Sequence, residues 1–165
     1  MVSSSFLILF SALASLALAE SFNLYAYGDG IGAVVISQNA PKDANDTAVV
    51  SFTTSNGRLV GNSNATSSDP PFSNEILYIP DSGSSSHEIG FANDTDSAPA
   101  NTLIDRFVWY GHFLLVKDDE GEITSLFSVK KSTSEGEYSL LWNVTGSDED
   151  VITISMRSIA PSTSQ

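Results

Sequence analysis

The chain is expected to fold as an all-β protein, an antiparallel β-sandwich of about nine or ten short strands without disulfides. Three observations lead there. Apolar runs are short and are separated by clusters of Gly, Ser, Asn, Asp and Pro, the pattern of strands joined by surface turns. No segment sustains a helical apolar period between capping residues. The run 138–144 sorts by parity, with Tyr138, Leu140, Trp142 and Val144 on one face. Glu137, Ser139 and Asn143 fall on the other, and Leu141 is the apolar exception. Successive strand residues point to opposite faces of a sheet. Asn143 opens the sequon Asn143-Val144-Thr145, whose glycan has to sit in solvent, so the same parity sends Trp142 into the core.

From the N-terminus, residues 6–18 form an apolar run too short for a membrane span. Ala17-Leu18-Ala19 supplies the small residues of a signal-peptidase site, so 1–19 reads as a signal peptide, although residues 1–5 carry no Lys or Arg. The mature chain is expected to be one β-sandwich domain over 20–160 with a disordered tail over 161–165. No apolar C-terminal stretch follows for a lipid anchor, so secretion without a membrane anchor is expected.

Two short strands, 21–27 and 33–36, flank the turn Gly28-Asp29-Gly30. Gly28, Gly30 and Gly32 invite comparison with a phosphate-binding loop, but the nucleotide-binding spacing and a following helix are both missing, so a turn is expected. Further strands are expected at 48–53, 58–60 and 75–79, the last stopped by Pro80. The polar segments 61–71, 81–86 and 93–101 between strands read as surface connections within one domain. The densest apolar stretch is 106–144, expected to be a three-strand meander broken at 117–122 and 130–136. Its first run, 107–116, is apolar at both parities. Either both faces are covered or Gly111 marks a bulge, and an isolated glycine in a strand pattern favours the bulge. A final strand, 151–157, turns Ile152, Ile154 and Met156 inward.

Composition narrows the chemistry. There are no cysteines, which removes disulfides, thiolate zinc clusters and thiol nucleophiles. Asp and Glu total 20 against 7 Lys and Arg, a formal net charge of −13, which disfavours nucleic acid and anionic lipid as partners. Four sequons begin at Asn45, Asn64, Asn93 and Asn143 and are expected to carry N-linked glycans.

Several motifs together resemble a family. Phe22-Asn23-Leu24-Tyr25-Ala26-Tyr27-Gly28 after the signal peptide, Leu77-Tyr78-Ile79-Pro80, Trp109-Tyr110-Gly111, Ser125-Leu126-Phe127 and the segment 141–146 are similar to those of uncharacterised small secreted proteins of filamentous fungi. The resemblance spans most of the mature chain. It implies a fungal origin and assigns no functional residue.

No catalytic motif emerges. The two histidines, His87 in a serine-rich loop and His112, read as a partly exposed strand residue, lack the glycine-serine-glycine elbow of many hydrolases. Two His without Cys make a poor zinc set. The acidic clusters 118–122 and 148–150 lack the ligand spacing of a calcium loop and read as solvated turns. Carboxylate pairs suited to glycoside hydrolysis follow from composition alone. No cofactor, metal or catalytic residue is assigned. The function expected is that of a secreted, acidic, N-glycosylated, non-catalytic interaction protein at a cell surface, a wall or a host. The alternative is a carbohydrate-binding module that stacks sugars on Tyr25, Tyr27, Trp109 and Tyr110, with a carboxylate-dependent glycoside-active enzyme the weakest reading. A polysaccharide or another extracellular protein is the partner expected.

N-terminal sequencing of secreted material should begin at Glu20. Retention of residues 1–18 in the extracellular product would remove the signal-peptide reading.

Overall fold

The computed structural model describes residues 20–39, 47–63, 72–133, 135–146 and 149–162; the expected signal peptide, the sequon residues Asn45 and Asn64, and Asp148 of the second acidic cluster lie outside them. Within that range the chain is all-β, with two antiparallel sheets packed face to face.

The chain enters with β1 (Phe22–Asn23) and changes sheets at Leu24. β2 (Tyr25–Gly28) and β3 (Gly32–Val35) form a hairpin in the larger sheet, and β4 (Ser37–Asn39) returns to the smaller one. The two crossings are tied together, Ile36 N–H donating to the Leu24 carbonyl at 2.8 Å. Leu24 is fully buried, so an apolar residue sits at the point where the chain passes between the layers.

The smaller sheet is completed by β5 (Thr47–Ser55), β6 (Arg58–Ser63), β7 (Glu75–Pro80), β8 (Gly90–Ala92) and β9 (Thr102–Leu103). Asn56 and Gly57 connect β5 to β6 with φ of 50° and 76°, both left-handed, as a two-residue hairpin turn requires. Gly57 also lies against the Asp105 carbonyl, where a β-carbon would clash, and its own carbonyl accepts from Phe107 N–H at 3.0 Å. That contact fixes the first strand of the next group against the smaller sheet.

The larger sheet takes β10 (Phe107–Tyr110), β11 (Phe113–Lys117), β12 (Ile123–Thr124), β13 (Phe127–Lys131), β14 (Tyr138–Trp142) and β15 (Val151–Arg157). β15 lies inside it, paired with β2, β11 and β13. Apolar inner faces close the sandwich: Phe52, Leu59, Leu77 and Ile79 from one sheet meet Leu114, Val116, Phe127 and Met156 from the other. Phe22 and Trp109, from different sheets, meet edge to face at 5.1 Å.

The last strand follows the expected boundaries, and Ile154 and Met156 are buried with Ile152 packed beside them. Trp142 is buried at 7 % exposure and meets Phe127 edge to face at 4.9 Å, while Asn143 is exposed. The strand ends at Trp142, because Asn143 has a left-handed φ of 50°. Leu141, the parity exception, is nevertheless buried, since the segment at Glu88 bridges to it and Ile89 N–H donates to the Leu140 carbonyl. The backbone segment leading into β8 thus covers the β14 edge, which would otherwise be open to strand pairing.

Four expectations need correction. The strands number fifteen among the described residues, because short segments such as β8, β9 and β12 lack any apolar alternation to announce them. Gly111 is not a bulge: with φ of 59° it starts the two-residue turn between Tyr110 and Phe113, so 107–116 is a hairpin of two strands. The meander is not continuous, since β15 lies between β11 and β13. Residues 61–63, expected in a loop, extend β6, where Gly61 makes room for Val50, Phe91 and Phe72.

Replacing Trp142 with Ala should lower unfolding stability by about 3–5 kcal/mol, the usual cost of emptying a large aromatic site. Asn143→Gln should cost less than about 1 kcal/mol, as its side chain is exposed and only its backbone conformation is affected. Urea denaturation of both variants decides this. A harmless Trp142 change would mean that the parity of β14 is reversed.

Candidate functional site

The register of the larger sheet brings distant residues onto its outer face. Tyr25 of β2 lies opposite Arg157 of β15, Arg157 opposite Phe113 of β11, and Phe113 opposite Tyr110 of β10. Directly paired residues in antiparallel strands share a face, so these four form one row across four strands. With strands about 4.8 Å apart, the row spans roughly 14 Å. The neighbouring row, Ala26, Met156, Leu114 and Trp109, points the other way into the core.

Two rings of the outer row are open to solvent, Tyr110 at 77 % and Phe113 at 39 % exposure. Arg157 lies between rings, its guanidinium carbon 4.5 Å from the centroid of Phe113 and 4.7 Å from that of Tyr27. Such stacking is worth about 0.5–1 kcal/mol per contact where water has access. Its Nε donates to Ser155 Oγ at 3.2 Å, and among the described residues no carboxylate pairs with it. The Tyr27 hydroxyl donates to the Ile159 carbonyl at 2.6 Å, and Ser158 N–H donates to the His112 carbonyl at 3.0 Å. The segment after β15 is thereby held against the β10–β11 turn, and the Tyr27 ring is held in place with it.

Of the expected sugar-stacking residues, Tyr25, Tyr27 and Tyr110 come together on this face and Trp109 does not. Trp109 packs against Phe22 and its indole N–H donates to Thr54 Oγ1 at 3.2 Å, so it belongs to the core margin. Tyr138 likewise packs against the core. Sequence reasoning missed Phe113 and Arg157. Phe113 was legible in principle, because a two-residue turn at Gly111 sets Tyr110 and Phe113 directly opposite each other. Arg157 carries no local signal, as its place depends on the partners β15 finds.

The other candidate groups have local explanations. His112 is exposed in the β10–β11 turn rather than in a strand, with Nδ1 3.5 Å from Ser158 Oγ. His87 Nδ1 lies 3.0 Å from the Trp142 carbonyl, next to the backbone bridge that covers β14. Asp118 closes its own turn, its Oδ1 accepting from Glu122 N–H at 2.8 Å. Gly28 to Gly32 is the tight connection of the β2–β3 hairpin, as expected. The carboxyl of Glu75 is pushed up from the usual range by burial, and the Asn93 amide faces it. That of Asp94 is held down by hydrogen bonds from the backbone N–H and then the hydroxyl of Ser97. Among the described residues no three His, Asp or Glu side chains converge as a metal site would need.

The aromatic outer face is thus the candidate surface, with two open rings and a cation lying over its neighbours. No protein-family model, no curated protein and no solved structure matches the chain.

Proposed function

We propose that this chain is a secreted, N-glycosylated, non-catalytic binding protein that acts at a cell surface, a wall or a host and engages its partner through the outer face of the larger sheet. The single observation that carries the reading is the row of Tyr25, Arg157, Phe113 and Tyr110. Soluble proteins rarely leave several large rings together in solvent unless the surface is used. A fungal origin fits the motifs that resemble fungal secreted proteins. Glycans on Asn93 and Asn143 would leave this face clear, since Asn93 adjoins the smaller sheet at Glu75 and Asn143 follows β14.

Polysaccharide is the partner class that the geometry favours over another extracellular protein. Open rings on a sheet face match the flat apolar faces of pyranose rings, and each ring that stacks removes apolar surface from water.

Binding should be read by sedimentation of the purified protein with insoluble cellulose, chitin, β-glucan and calcium-gelled polygalacturonate. Tyr110→Ala combined with Phe113→Ala should reduce retention at least about tenfold, the equivalent of about 1.4 kcal/mol. Melting temperature should hardly change, because both rings are exposed. Trp109→Ala should instead destabilise the fold. Retention that survives the double substitution would place the binding surface elsewhere, and release of reducing ends from any of these polymers would overturn the non-catalytic reading.

A further inference from the structure

The charges are distributed unevenly over the fold. Acids outnumber bases 20 to 7 in the chain, yet the eight strands of the larger sheet contain Lys117, Lys130, Lys131 and Arg157 and not one Asp or Glu. By parity Arg157, Lys117 and Lys130 lie on the outer face, Lys117 with Phe113 and Leu115 on β11, and Lys130 opposite Val151 of β15. The carboxylates sit in the turns and loops around the sheet, such as 118–122 and 149–150.

We propose that the outer face binds an acidic polysaccharide, a chain of uronate sugars, with a sugar carboxylate on the Arg157 guanidinium and adjacent rings on Phe113, Tyr110 and Tyr25. The proposal rests on the polysaccharide reading above and names the class of sugar. Arg157 is the group that selects it. The guanidinium carbon lies over the rings of both Tyr27 and Phe113, which hold it in place, and a guanidinium is the group that receives a carboxylate through two parallel hydrogen bonds. In a chain so rich in carboxylates, no acid among the described residues takes that place. Lys117 lies four residues along β11 from Phe113, about 14 Å away, too far to share one sugar but within reach of a polymer carrying repeated charges.

The net charge of −13 opposes this attraction only at long range. Screening over about 8 Å at physiological salt removes most of the field of the distant loops, whereas a carboxylate in contact with Arg157 is screened far less. Tyr27 contributes its ring and not its hydroxyl, which the Ile159 carbonyl already occupies. An acidic peptide could satisfy the charges but would leave the row of open rings without flat partners, so the sugar polymer is favoured.

Titration calorimetry with soluble polygalacturonate, its fully methyl-esterified form, a neutral β-glucan oligosaccharide and poly-L-glutamate tests the proposal. Polygalacturonate should bind, and esterification should weaken it at least about tenfold, the equivalent of losing one charged hydrogen bond. Arg157→Gln should produce a loss of similar size with polygalacturonate and none with the ester, and Arg157→Lys should recover only part of it. Equal binding of acid and ester, with Arg157→Gln neutral, would overturn the charge selection while leaving the polysaccharide reading in place. Equal binding of poly-L-glutamate would assign the face to acidic peptides and overturn the proposal. Binding of none of the saccharides would overturn both readings. The comparison of acid and ester uses the wild-type protein, so it remains decisive if a variant fails to fold.

Discussion

The larger sheet depends on the two-sided pairing of its last strand. β15 hydrogen-bonds to β2 through residues 154–157, to β11 through Met156 and Arg157, and to β13 through residues 151–153. A strand with neighbours on both edges satisfies its backbone groups within the sheet and leaves its side chains to divide between the two faces. Met156 and Ile154 go into the core, while Arg157 and Ser155 go outward. Without β15 the β2–β3 hairpin would have no place in this sheet, since among the described residues β2 pairs with β3 and β15 alone. The core and the aromatic outer face are therefore two sides of one constraint. Its cost is topological, because the first hairpin and the last strand are separated by most of the described chain, and contacts of such separation carry a large loop-closure entropy.

Other features protect this arrangement. The sheets are cross-linked at Leu24 and Ile36, where the N-terminal hairpin passes between layers, and again where Gly57 meets Asp105 and Phe107. The β14 edge is closed by the bridge at Glu88, and Trp142 N–H donates to the His87 carbonyl at 2.8 Å. A disulfide-free sandwich has to obtain its order from packing and from backbone contacts of this kind. One feature has no account: Ser128 Oγ is buried without a hydrogen-bond partner.

What could be read from the chain was local. The parity of 138–142 placed Trp142 in the core because an alternating strand of that length carries its own register. The inward set of β15 and the turn at Gly28 to Gly32 were legible for the same reason. Gly111 was misread because a lone glycine marks either a bulge or a turn, and the choice depends on whether the flanking residues pair with each other. Strand order was not legible, since nothing in residues 151–157 names β11 and β13 as neighbours. The aromatic outer face followed the same division. Tyr25, Tyr27 and Tyr110 stood out by residue type, whereas Phe113 joined Tyr110 through the local hairpin at Gly111, Arg157 joined through long-range register, and Trp109 left the set because its parity is that of the core.

The most direct test is residue-specific. Aromatic side-chain resonances of the purified protein, recorded by NMR with and without oligogalacturonate, report which rings meet the sugar. The expected result is movement of the Tyr110, Phe113 and Tyr25 ring signals on one binding curve, with those of Trp109 and Trp142 unmoved. Shifts centred on Trp109, or confined to residues of the smaller sheet, would contradict the assignment of the outer face of the β15 sheet as the binding surface.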